Sequence, residues 1–205
     1  MTNPTCAVVL IGNELLSGRT EDANMNHIAR RMADIGVRFL ECRVIPDDKD
    51  VIVATLRELK EKYTYVFTTG GIGPTHDDIT VECVAHLFQV PVERNAATVK
   101  AFEAYYKERM NEGVLKMADF PKGAELIANS LSIAPGFRFE NVYCMAGVPK
   151  IMRVMLEGII PSLRKGSEVF SKSVDVYAGE SVISAEFERV QKQFSDVEMG
   201  SYPFA

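Results

Sequence analysis

Two textures alternate along the chain. Residues 6–12, CAVVLIG, are apolar almost without a break, as in a strand buried on both faces of a parallel sheet. From Asn24 onward the apolar residues Met25, Ile28, Ala29, Met32 and Ile35 recur at helical spacing, and Gly36 stands where a C′ glycine ends a helix. VRFLECRVI, residues 37–45, reads as a second strand, closed by Pro46, Asp47 and Asp48. Asp50 is placed to cap a helix whose inner face is Ile52, Leu56 and Leu59. YTYVFTT, residues 63–69, is a third strand. After a glycine-rich loop, a helix is expected to bury Val81, Val84, Ala85 and Phe88.

This β-α-β-α-β-α order with short connections predicts a parallel, doubly wound α/β sheet. Further along, NAATVKAFEAYYKERM predicts a longer helix with an apolar stripe at Val99, Phe102 and Tyr106. AELIAN and NVYCMAG read as strands, and Pro149 opens a helix at the position where its missing N–H costs nothing. The texture changes after residue 166. SKSVDVYAG alternates like a half-exposed strand, ESVISAEFERVQKQF is amphipathic, and VEMGSYP reads as a last short strand. The expected organisation is an α/β domain over 1–166 and a small β-α-β appendage over 167–205.

Composition narrows the class. The chain has 205 residues, 47% hydrophobic and 25% charged, which suits a globular domain with an appendage. A net charge of -5 with well-mixed signs argues against a general grip on nucleic acid. A local anion site built of backbone N–H groups needs no net positive charge. Cys6, Cys42, Cys83 and Cys144 form no C-x-x-C pair and are expected to be reduced core thiols of a cytoplasmic protein. The N-terminus lacks a basic n-region, and no apolar run approaches the roughly 20 residues of a membrane span.

The chemistry gathers at strand ends. Segments 12–18 (GNELLSG), 46–48 (PDD), 70–78 (GGIGPTHDD) and 146–149 (AGVP) each leave a predicted strand, and in an open parallel sheet they would converge on one edge. Gly70, Gly71 and Gly73 let backbone approach a ligand, Pro74 stiffens the turn, and Asp77 or Asp78 falls at the start of the next helix. Asp47 and Asp78, with Glu14 or Glu82, are candidate oxygen ligands for a divalent cation such as Mg²⁺ that would bridge a diphosphate or metal-oxo ligand. The bland alternative is a tight turn whose aspartates cap or turn the chain. The loop is neither a G-x-G-x-x-G fingerprint nor a Walker A loop, and His27, His76 and His86 lack zinc spacing.

TTGGIGPTHDDIT, residues 68–80, resembles the signature loop of the MoaB/Mog-type molybdopterin-binding family. IGNELLSGRTEDAN, NSLSIAPGF, AGVP and GESVISAEF…MGSYP are similar to the CinA-type branch, including stand-alone members and the domain fused to FAD synthase in eukaryotes. The resemblance implies a three-layer α/β/α sandwich with a mainly parallel sheet. It implies a molybdopterin or pterin-nucleotide binding protein linked to molybdenum cofactor biosynthesis. The alternatives are a divalent-metal-dependent pyrophosphatase of ADP-ribose- or FAD-like nucleotide diphosphates, and a non-catalytic scaffold with a degenerate site.

By the same resemblance, Asp47 and Asp78 match the acidic pair used in molybdopterin adenylation. Gly70, Gly71, Gly73, Pro74 and Thr75 match the ligand loop, with Asp77 and Thr80 in the same stretch. Asn129, Pro135 and Gly136 match a second ligand segment, and Gly147 and Pro149 a third. Ser132 and Ile133 stand where the family has Gly-Thr, Met145 and Ala146 precede Gly147 where the family turn reads Leu-Pro-Gly-Val-Pro, and Asn13 replaces a common aspartate. The tail resembles the start of a KH-like segment without the G-x-x-G loop that grips RNA. The expected partners are a small pterin or nucleotide ligand and a second copy of the chain, a dimer being favoured, with no nucleic acid and no membrane.

Overall fold

The structure, a computed structural model, describes residues 3–167 and 170–203. Internal contacts divide the chain into two compact units, Met1–Val169 and Phe170–Ala205.

The first unit begins with β1 (Thr5–Ile11), a one-turn α1 (Asn13–Leu16), α2 (Met25–Asp34), β2 (Arg38–Ile45), α3 (Lys49–Lys62), β3 (Tyr65–Thr69) and α4 (Thr80–Phe88). An excursion follows: β4 (Val92–Arg94), α5 (Ala96–Tyr106), α6 (Glu112–Lys116) and β5 (Asp119–Pro121). The chain then returns through β6 (Glu125–Ile127), β7 (Gly136–Phe139), β8 (Val142–Met145) and α7 (Pro149–Ile159). Six strands form one sheet in the order β2-β1-β3-β8-β7-β6. The pairs β1·β2, β1·β3 and β3·β8 are parallel, while β7 runs antiparallel to both β8 and β6.

The continuous apolarity of β1 has the expected cause. Cys6, Val8 and Leu10 face Ile28 and Met32 of α2 and Met152, Met155 and Leu156 of α7. Ala7, Val9 and Ile11 face Ile52 and Leu56 of α3 and Cys83 and Val84 of α4. Helices therefore cover both faces, giving a three-layer α/β fold with a mostly parallel central sheet. Full burial of each large aliphatic side chain in these layers contributes roughly 1.5–3 kcal/mol.

Local signals account for the helix ends. Gly36, at φ +69°, donates its N–H to Ala33 O while Val37 N donates to Met32 O, the paired bonds of a Schellman stop. The cap of α3 is Asp48, whose carboxylate accepts from Val51 N at 3.0 Å; Asp50, expected in that role, already lies inside the first turn. On α4 the buried face is Thr80, Cys83, Val84, Ala85 and Leu87, with Val81 and Phe88 half-buried at its margins. The α5 helix stops at Tyr106, shorter than its periodicity suggested, and a 3₁₀ turn follows.

Three expectations are corrected. Cys42 is exposed, because β2 is an edge strand that the helices cover only in part; Cys6, Cys83 and Cys144 are buried, and all four are free thiols. The sheet gains an antiparallel β7 that the chain pattern did not announce. In the second unit, α8 (Glu180–Gln193) forms as read, but the described residues on either side of it form no strand. Among the described residues the β-α-β appendage is thus a helix with irregular flanks. Gln191 ties the following segment back, donating to Val197 O at 2.7 Å and accepting from Met199 N at 2.9 Å. No described residue of this unit is buried, since so short a segment encloses no core of its own.

Candidate functional site

The strand order reverses at β1: the chain moves to β2 on one side and then to β3 on the other. Such a reversal opens a crevice between the loops leaving the two strands. Here it is a cavity of about 420 Å³. Ile11 and Glu14 reach it from the end of β1, Asp47 from the end of β2, residues 70–75 with Asp77 and Asp78 from the end of β3, and Ala146, Gly147 and Val148 from the end of β8. The four segments converge as their positions at strand ends required.

The floor is the loop after β3. Gly70 and Gly71 have φ of +102° and +70°. A Cβ on Gly70 would collide with the carbonyl oxygen of Ile11, and one on Gly71 with the hydroxyl of Thr80. These glycines are demanded by close approach as well as by dihedral. Gly70 N donates to Met145 O at 3.1 Å, and Thr80 donates its N–H to Gly71 O at 2.9 Å and its hydroxyl to Gly70 O at 3.2 Å. Thr80 is therefore a staple beneath the loop and does not line the cavity.

The two aspartates do not cap α4, whose N-cap position is Ile79 without a side-chain bond. They fold back on Thr75 instead. Asp78 Oδ2 accepts from Thr75 N at 2.8 Å, and the Thr75 hydroxyl lies 2.5 Å from both Asp77 Oδ1 and Asp78 Oδ2. The Thr75 hydroxyl and a backbone N–H hold the Asp77 carboxyl below its ordinary range. Lys116 Nζ reaches Thr75 O at 2.7 Å. His76 points away, its side chain 97% exposed.

Asp47 Oδ2 accepts from Asn13 N at 2.8 Å, tying the turn after β2 to the start of α1. Asn24 fixes the last loop: its Nδ2 donates to Gly147 O at 2.8 Å and approaches Thr69 Oγ1 at 3.4 Å, while its Oδ1 is buried without a partner among the described residues. Asn129 closes the opposite wall, with Nδ2 donating to Ser132 Oγ at 2.6 Å and Ala134 O at 3.0 Å. Ile133, in this turn, has φ +63°, a conformation rare for a β-branched residue and costing roughly 1–2 kcal/mol. Its packing on the Phe102 cluster offsets that cost.

Not every expected residue belongs to the wall. Asn129 and Pro135 line the cavity, but Gly136 is buried in β7 and Pro149 is the first residue of α7; neither is part of the lining. Glu82 is exposed on the first turn of α4, away from the lining. Met117, Ile151 and Met155 contribute apolar wall that periodicity could only assign to core. Asn24 and Lys116 were missed because each acts through a tertiary hydrogen bond.

Charge is the most informative property of the lining. Among the described residues it contains four carboxylates, Glu14, Asp47, Asp77 and Asp78, and no lysine or arginine. Among the described residues no three His, Cys, Asp or Glu side chains form a ready metal cage. A Mg²⁺-type site needs no such cage, since it keeps one or two carboxylates and takes its remaining oxygens from phosphates and water. Asp47 and Asp78 each have one carboxylate oxygen with no hydrogen bond among the described residues. The donor set suits a hard cation that arrives with an oxyanion ligand.

Fold and cavity define an α/β small-molecule-binding domain whose site lies beyond the carboxyl ends of parallel strands. The chain belongs to the family described as "Probable molybdopterin binding domain", whose model matches residues 7–165. Residues 168–205 match the model described as "FAD synthase, middle domain". A protein of Archaeoglobus fulgidus is 34% identical over 197 residues, covering 96% of this chain and 84% of its own. A CinA-like protein of Leptospira borgpetersenii is 34% identical over 221 residues; this chain spans 52% of its length. The solved structure of CinA from Thermoplasma acidophilum superposes with a TM-score of 0.73 at 29% identity, covering 78% of this chain and 98% of that one. MoaB from Thermus thermophilus, at 16% identity and a TM-score of 0.51, covers 78% of this chain and 91% of its own, and shares the fold.

Proposed function

We propose that this chain binds a phosphorylated pterin or pterin-nucleotide in the cavity between β1, β3 and β8, in the manner its family name suggests, with a link to molybdenum cofactor assembly. The observation that carries the reading is the pairing of an open glycine floor with an apolar wall. Gly70 shapes the floor by close approach, Gly71 and Gly73 offer backbone N–H groups to phosphate oxygens, and Ile72, Met117, Val148 and Ile151 suit a flat heterocycle. Asp47 and Asp78 are the residues that would hold a divalent cation, which supplies charge neutralisation and polarises a phosphoryl oxygen. Thr75 orients Asp78, Asn13 orients Asp47, and Asn24 fixes the Gly147 carbonyl against the floor.

The excess of carboxylates favours a second reading. A cavity with four acids and no base repels a free diphosphate unless a cation accompanies it. That is the setting of a divalent-metal-dependent hydrolase of nucleotide diphosphates such as ADP-ribose or FAD. Incubating the protein with ADP-ribose and with FAD, each with and without divalent cations, and assaying for AMP separates the readings; native mass spectrometry with molybdopterin tests the first directly. Metal-dependent AMP release supports the hydrolase. Molybdopterin retention without AMP release supports the binding protein. Neither result would support a scaffold that keeps the fold without the chemistry.

A homo-oligomer is part of the same reading. The second unit leaves Phe170 and Tyr202 more than four-fifths exposed, as expected of a segment awaiting contacts. Light scattering tests it.

A further inference from the structure

We infer that Ser132 reads the heterocycle of the bound ligand, its hydroxyl donating to the ring carbonyl of an amino-oxo (pterin-type) ring. The inference rests on the pterin reading of the cavity given above. Among the described residues, three side chains of the lining carry hydrogen-bond donors: Thr75, Asn129 and Ser132. Two of them are spent. The Thr75 hydroxyl is held between Asp77 Oδ1 and Asp78 Oδ2, 2.5 Å from each. Asn129 uses both amide protons, on Ser132 Oγ at 2.6 Å and on Ala134 O at 3.0 Å.

The orientation of Asn129 decides the role of Ser132. Asn129 Oδ1 accepts from Leu131 N at 2.9 Å and from Ser132 N at 3.3 Å, while the Ala134 carbonyl can only accept, so the amide oxygen and nitrogen are fixed by their partners. An amide nitrogen cannot accept a hydrogen bond. Ser132 Oγ is therefore the acceptor in its bond with Asn129, and its own proton enters no hydrogen bond among the described residues. On a half-buried cavity wall, that proton is left for a ligand or water.

The same loop places the hydroxyl at the heterocycle side of the cavity. Ile133 packs on the Phe102 cluster together with Met117 and Ala134, and the last two also line the cavity. Ser132 thus stands on the wall that supplies apolar surface for a flat ring, not on the glycine floor. Donor and acceptor counts then choose the ring. The side chains of the lining offer carboxylates and one free hydroxyl proton. A pterin edge presents several N–H groups beside a single carbonyl; the carboxylates match the first and the hydroxyl the second. Adenine has no ring carbonyl. Ser132 also stands where the resembled family has glycine, so this donor belongs to the chain's own sequence.

The test is titration calorimetry of wild type and Ser132→Ala with hydroxymethylpterin diphosphate and with inorganic pyrophosphate, each with Mg²⁺. Ser132→Ala should bind the pterin diphosphate roughly three- to tenfold more weakly, the loss of one hydrogen bond. Pyrophosphate has no ring, and its affinity should not change. Infrared difference spectra of ligand labelled with heavy oxygen at the ring carbonyl give a readout that loop order alone does not move: the carbonyl band should lie lower in wild type than in the variant. Equal pterin affinity in both proteins, or weaker binding with an unmoved carbonyl band, would overturn the inference and leave the pterin reading standing. A wild type that binds neither probe, or pyrophosphate alone, would overturn that reading and the inference with it. If Ser132→Ala fails to fold, Ser132→Gly removes the same hydroxyl and takes its place.

Discussion

Lys116 Nζ donates to the carbonyl oxygen of Thr75 at 2.7 Å across a separation of 41 residues. This bond ties the end of α6 to the loop that carries Asp77 and Asp78. Nearby, a Cβ on Gly113 would stand 3.2 Å from Pro74 O, so α6 lies directly on the loop. The excursion between α4 and β6 is therefore a buttress for the cavity floor. Lys116→Met should leave the fold intact and weaken ligand binding by on the order of 1 kcal/mol, or several-fold. Titration calorimetry beside far-UV circular dichroism checks this; unchanged affinity would make the bond ornamental.

Asp78→Asn removes a charge while keeping an acceptor for Thr75 N. The expected outcome is loss of any metal-dependent turnover with a stability change under about 1 kcal/mol. Asp77→Asn is an imperfect control, because both carboxylates grip the Thr75 hydroxyl. Thr75→Val is the better one: it removes the hydroxyl bond to both aspartates, keeps the backbone N–H bond to Asp78 and preserves both charges. Activity retained in Thr75→Val and lost in Asp78→Asn would separate charge from loop order.

Gly71→Ala should destabilise by roughly 1–2 kcal/mol from its positive φ alone, with a further loss from the Thr80 hydroxyl. Adding Thr80→Ala should recover the second part and not the first. Urea unfolding of Gly71→Ala, Thr80→Ala and the double variant measures both; a neutral Gly71→Ala would contradict the floor geometry.

Hydrogen bonds from Lys62, Tyr63 and Arg43 lower the Glu41 carboxyl from its ordinary 4.5 to about 2. A depressed folded value means the stabilisation is present above about 4.5 and disappears as pH falls through about 2. Solvent screening keeps it to on the order of 1 kcal/mol. Glu41→Gln should therefore lower the melting temperature at pH 7 and make no difference near pH 2. A difference that persists at pH 2 would refute the ion-pair origin.

The sequence by itself determined the elements and their order, because helix and strand periods are local and the helix stops are written in single residues. Gly36 ends α2 by the conformation only glycine adopts cheaply, and the unbroken apolarity of β1 requires cover on both faces. It also determined that Gly70, Gly71, Asp47, Asp78 and Gly147 would meet, since parallel strands bring their carboxyl ends to one edge. Tertiary structure alone decided which of those side chains line the cavity. Thr80 faces under the loop, Glu82 faces solvent, and the aspartates turn to Thr75 rather than to the helix. Asn24, Lys116 and Met117 joined the site through contacts between residues far apart in the chain, which no local period encodes. The exposure of Cys42 had the same origin: an apolar strand looks alike at the centre of a sheet and at its edge, and only the strand order tells them apart.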